Sequence, residues 1–168
     1  TVWCSGVLHH TENPKLGFQI IASWLKPRGY IILGLYNYYG RIPTIFRRII
    51  FRILGRGAIA RSVISYIDPI LRREISKRKR EAWIEDQYNH PIESLHTLDE
   101  VLSWFDENNI EFMSSIPSCE ANTINYDHIF SKHKKGNKLI RILSQIKMIF
   151  SNLSSEGGLF IVIGRKKI

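Results

Sequence analysis

The sequence predicts an α/β protein with a helical insert, and three observations lead there. An apolar strand, an amphipathic helix and a second, wholly apolar strand follow one another within residues 2–37. Two more strand-like runs occur in the second half, after helices with clear start signals. Between the halves lies an arginine-rich helical block unlike either. With 168 residues and 44% apolar content, the chain is long enough for one domain with a real core.

Residues 2–7 read as a short buried strand, stopped by Gly6 and the polar "HHTENP". Thr11 or Asn13 is placed to cap the next helix, with Pro14 in its first turn. Leu16, Ile20, Ile21, Trp24 and Leu25 recur at helical spacing and predict its inward face. "KPRG" stops that helix, with Gly29 expected at positive φ. "YIILGLYN" is a continuous apolar run, as a parallel strand covered on both faces requires. Together these form a right-handed βαβ unit.

From Gly40 the character changes. Ile42, Ile45, Phe46, Ile49, Ile50 and Ile53 form one stripe of a helix, with Arg41, Arg48 and Arg52 opposite. "GRG" ends it, and a second helical stretch runs over residues 58–80 with a joint at Asp68-Pro69. "HTLDEVLSWFDENN" carries a capping box, Thr97 with Glu100, and Leu98, Val101, Leu102 and Phe105 on its inner face. "IEFMSSIP" is a strand, residues 138–150 an amphipathic helix, and "GLFIVIGRKK" a last buried strand. Residues 119–138 read as irregular and 151–158 as a flexible loop. The expected division is therefore core at 1–39, basic insert at 40–85, core at 86–118, a second insert at 119–157 and the final strand at 158–168.

The net charge of +9 comes from one place, because residues 41–80 hold twelve Lys or Arg against Asp68 and Glu74. Two cysteines without a CxxC pair, and no paired-histidine spacing, argue against a disulfide framework or a zinc site and fit a reducing, cytoplasmic setting. No signal peptide or membrane-spanning run is expected.

"GVLHHTENP", "LKPRGYIILGLYN" and "SLHTLDEVLSWFDENNIEF" together resemble the C-terminal half of a class I, Rossmann-like S-adenosylmethionine-dependent methyltransferase. In "LKPRG" an Arg stands where that family usually has a first Gly. The resemblance implies a partial sheet, the last four strands of seven, with the final strand antiparallel. It implies S-adenosylmethionine as cofactor and a methyl acceptor, a small molecule or another substrate, that the sequence does not identify. The family's Gly-rich cofactor loop is not in this sequence. The first three strands are thus expected to precede Thr1, and the chain as given should hold the cofactor weakly, forming one wall of the cleft. By that resemblance Ser5, Gly6, Leu8 and His9 would line the cofactor site.

Tyr36 and Asn37 follow the second strand and are candidates for the acceptor pocket, with His10 beside them. "DQYNHPIES" adds Tyr88 as a substrate contact and His90 with Glu93 as a base and its orienter; His9 is the other catalytic candidate. For the basic helix, the leading expectation is a lid that packs its Ile/Phe stripe on the domain and leaves its arginines in solvent. The next is an anionic acceptor or nucleic acid bound at Arg47, Arg48 and Arg52, and the third an anionic membrane surface. A non-catalytic basic module is the alternative to an enzyme.

Overall fold

The computed structural model describes residues 1–120, 128–150 and 157–168. The expected flexible loop over 151–158 falls largely on residues 151–156, and the middle of the expected irregular stretch on residues 121–127, outside the described residues; its described part, 128–137, has turns and no strand or α-helix.

Four strands form one sheet: β1 (Val2–Ser5), β2 (Tyr30–Tyr36), β3 (Ile110–Ile116) and β4 (Leu159–Lys166). Their order is β1-β2-β4-β3. β1 and β2 run parallel, and β4 is antiparallel to both of its neighbours. The last strand in sequence thus lies between the second and third, which explains why "LFIVIG" is apolar throughout. Phe160 and Val162 face one layer and Ile163 the other. β1 pairs only with β2 among the described residues, so its other edge is open. Trp3, on the face opposite Val2 and Cys4, is 70% exposed there.

One face of the sheet carries the main core. Helices α1 (Pro14–Ser23) and α5 (Leu98–Glu107) cover it. Asn13 caps α1, its Oδ1 accepting from the Leu16 N–H at 3.0 Å. Thr97 caps α5, accepting from the Glu100 N–H. The expected inward residues of α5 are all buried, and Trp104 joins them. α1 is rotated from expectation: Phe18 and Ala22 point inward, joined by Leu25 and in part Ile21 of the expected face, whereas Leu16, Ile20 and Trp24 are exposed. The Phe18 ring sits 5.6 Å from Trp104 and 5.7 Å from Phe105, and this aromatic cluster sets the rotation. In the following turn the positive φ falls on Arg28, at 63°, not on Gly29.

The insert contains α2 (Ile42–Ile53), α3 (Ala58–Ile67) and α4 (Lys77–Ile84), and it builds its own apolar cluster from Phe51, Ala60, Ile64, Leu71, Ile84 and Tyr88. Asp68 is its anchor. One carboxylate oxygen accepts from the Ile70 and Leu71 N–H groups, the other from the Tyr88 hydroxyl and the Trp83 indole N–H. The joint expected at Asp68-Pro69 is thus a buried polar node.

α2 reverses the leading expectation. Most of its Ile/Phe stripe faces solvent, with Phe46 64% and Ile53 78% exposed, whereas Arg41 is completely buried and the Arg47 and Arg48 side chains are partly buried, 13% exposed. Of the three arginines expected to meet an anionic partner, only Arg52 is exposed. The last helix, α6 (Lys138–Lys147), inserts Gln145 between elements, where it accepts from the Leu98 N–H and the Asn37 side-chain amide.

Candidate active site

Parallel pairing of Ser5 with Gly34 places the carboxyl ends of β1 and β2 side by side. In open α/β sheets that edge is where ligands bind. After β1 the chain turns at Gly6, whose φ of 75° favours glycine and beside which a Cβ would meet nothing within 4 Å. A 3-10 turn over Leu8–His10 follows. Leu8 packs into the main core, while His9 and His10 turn toward β2.

The rings make a continuous contact series. Arg41 places its guanidinium carbon 3.8 Å from the Tyr36 ring centroid. Tyr36 lies 3.9 Å from His9, His9 lies 4.2 Å from His10, and His10 lies 3.8 Å from His90. Four residues singled out in the sequence are therefore neighbours, drawn from the 3-10 turn after β1, the end of β2 and the loop after α4.

Three others are used structurally, and their expected roles are corrected. Tyr88 points into the insert, its hydroxyl donating to Asp68. Asn37 is fully buried; its oxygen accepts from the Tyr39 and Gly40 N–H groups and its amide donates to Gln145. Glu93 does not orient His90, whose Nδ1 instead contacts the Ile92 carbonyl. The Glu93 carboxylate takes a two-point pair from Arg41, at 2.9 and 2.5 Å, and a third contact from Arg48 at 2.7 Å. Burial pushes the Glu93 carboxyl up, but the hydrogen bonds and charges of the two arginines outweigh it and hold it below the usual carboxylate range.

Arg41 and Gln87 are the site residues the sequence reading missed. Arg41 also donates to Gln87 Oε1 and the Gly157 carbonyl, and Gln87 donates to the Tyr36 hydroxyl at 2.8 Å. No local signal marks a partner 52 residues away. Arg48 completes the same network through the Gln87 carbonyl.

His9 is the chemical anomaly. It is completely buried, and neither ring nitrogen has a hydrogen-bond partner among the described residues. A buried polar atom left unpaired costs about 1–3 kcal/mol, and such atoms require an explanation. Burial, then the neighbouring His10, pushes its pKa down to about 3, so the ring is neutral across physiological pH.

That shift has a stability consequence. Below pH 6.5 the unfolded chain protonates this histidine while the folded one does not until about pH 3. Stability is complete above 6.5 and falls as pH drops, by about 1.4 kcal/mol per unit from this group. Glu93 adds to the loss only below its ordinary value of 4.5. Urea midpoints measured across this range should therefore fall from pH 6.5 downward, and His9→Leu should flatten the segment between 6.5 and 4.5. An unchanged slope in that variant would refute the assignment.

No protein-family model matches the sequence. The structure is similar to that of PKMT2 from Rickettsia typhi, with a TM-score of 0.60 and 11% identity, covering 96% of this chain and 34% of that one. An uncharacterized protein of Synechococcus sp. is 27% identical over 128 residues, 66% of this chain and 30% of that protein. The chain thus spans about a third of the length of these proteins. The likeness shows the fold alone: a mixed α/β architecture, a four-stranded sheet with helices, that the two structures share.

Proposed function

We propose that this chain is the acceptor-side part of an S-adenosylmethionine-dependent methyltransferase, with the rest of the cofactor site on strands that pair with the open edge of β1. The observation that carries the reading is His9, buried with two unmade hydrogen bonds at the carboxyl ends of two parallel strands. Exposed Trp3 beside an unpaired edge supports further strands there.

The residues present fit one wall of such a site. Ser5 and Gly6 would approach the cofactor, because Gly6 offers open space where a side chain would intrude. S-adenosylmethionine, when bound, supplies an electrophilic methyl group on a sulfonium. His9 would meet the acceptor. A neutral imidazole whose conjugate acid has a pKa of about 3 carries a proton poorly but accepts a hydrogen bond well. Its role is therefore to aim an acceptor N–H or O–H, and much of the rate would come from that positioning. Tyr36, clamped between Arg41 and Gln87, fixes one side of the ring series, while His10, with Nε2 3.8 Å from Asp86 Oδ1, fixes the other.

Calorimetric titration of the intact protein with S-adenosylmethionine tests the reading. Binding is expected, and Gly6→Leu, checked for folding by circular dichroism, should weaken it by at least about tenfold, since the branched side chain occupies the open space and strains a positive φ. An intact protein that binds neither S-adenosylmethionine nor its demethylated product overturns the proposal.

A further inference from the structure

Solvent exposure of the Ile/Phe stripe of α2 is unusual for a helix whose opposite side is basic. Phe46, Ile49 and Ile53 recur at three- and four-residue spacing along its outer side. On α3, Ile59 and Tyr66 are also left in solvent, at 72% and 78% exposure, and the two helices pack through Phe51, Ala60 and Ile64. The orientation is fixed from within. Arg41, Arg47 and Arg48 are drawn inward toward Glu93, Gln87 and Asp68, and the stripe has to face out.

We propose that this two-helix face docks on an anionic lipid surface, its apolar ridge entering the interface and its outer arginines and lysines meeting the headgroups. Charge complementarity selects this occupant. Arg52, Arg56, Arg72, Arg73, Lys77 and Lys79 are exposed on the same unit, against Glu74 as the exposed acid in residues 41–80. The segment carries twelve cations for two anions, so a second copy of the face would be repelled. An amphipathic helix with cationic flanks sinks its apolar side roughly 5–10 Å into the headgroup boundary, which accepts a ridge without a matching groove. Among the described residues no helix is long and apolar enough to cross a membrane, so the contact is one of lying on the surface.

The intact protein should float with phosphatidylcholine vesicles containing phosphatidylglycerol and not with phosphatidylcholine alone. Added salt should weaken the binding. Ile53→Asp should reduce it by at least about tenfold, as should Arg52→Glu combined with Arg73→Glu; these positions are exposed, so folding should be unaffected. Ile53→Cys should react with a maleimide in solution and become protected on anionic vesicles. Absence of vesicle binding, binding that survives Ile53→Asp, or protection of that cysteine without vesicles would overturn the proposal. So would RNA binding in place of vesicle binding, or a dimer split by Ile53→Asp. None of these readouts depends on methyl transfer, so this proposal and the enzymatic one fail separately.

Discussion

Replacing Arg41 with Met is expected to destabilise the intact protein by about 3–5 kcal/mol, because it leaves a buried carboxylate without its principal partner. Glu93 would keep only Arg48, and Gln87 Oε1 and the Gly157 carbonyl would each lose a donor. Arg41→Lys should fail almost as badly, since an ammonium cannot make the two-point pair with Glu93 or lie flat over Tyr36. Removing Glu93 and Arg41 together should cost less than the sum of the single changes. Denaturant unfolding of the four proteins in this cycle measures it. Strictly additive costs would show that the contacts contribute independently. The coupled loss is expected because one guanidinium joins β2, the α2 insert and the loop after α4.

The second large effect concerns His9. In the intact protein His9→Leu should lower methyl transfer by at least about 100-fold while leaving stability at pH 7.5 unchanged or raised. The two halves of that expectation share one cause. The imidazole nitrogens make no hydrogen bond within the described residues, so folding gains nothing from them that leucine lacks. In the function proposed above, their contribution comes when an acceptor is present. Methylation rates with S-adenosylmethionine, set beside urea unfolding of the same preparations, decide it. Full activity in His9→Leu would remove His9 from the site. A loss of activity matched by a loss of stability would make it a packing residue.

Much of the scaffold was legible in the sequence. Period-two and continuous apolar runs placed all four strands, because alternation and two-sided burial leave their marks directly on residue type. Caps at Asn13 and Thr97 were readable because a cap is satisfied by a group only three residues on. The nearness of His9, His10 and Tyr36 was foreshadowed, since their segments were expected to end at one sheet edge; that His90 joins them was not, since its loop was read only as a source of acceptor contacts. The roles of Asn37, Tyr88 and Glu93 were not foreshadowed. Each is a polar group outside the strands and α-helices, and whether it meets a ligand or another part of the chain depends on partners 20 to 108 residues away.

α2 shows where the boundary lies. The spacing of its isoleucines and arginines determined that the segment is an amphipathic helix with two distinct faces. Only the tertiary structure decided which face is buried. Apolar burial alone would have turned the isoleucines inward. Three arginines could take their place only because partners distant in sequence converge beneath them: Glu93 and Gln87 accept hydrogen bonds from Arg41 and Arg48, and the Asp68 carboxylate supplies charge 3.9 Å from Arg47.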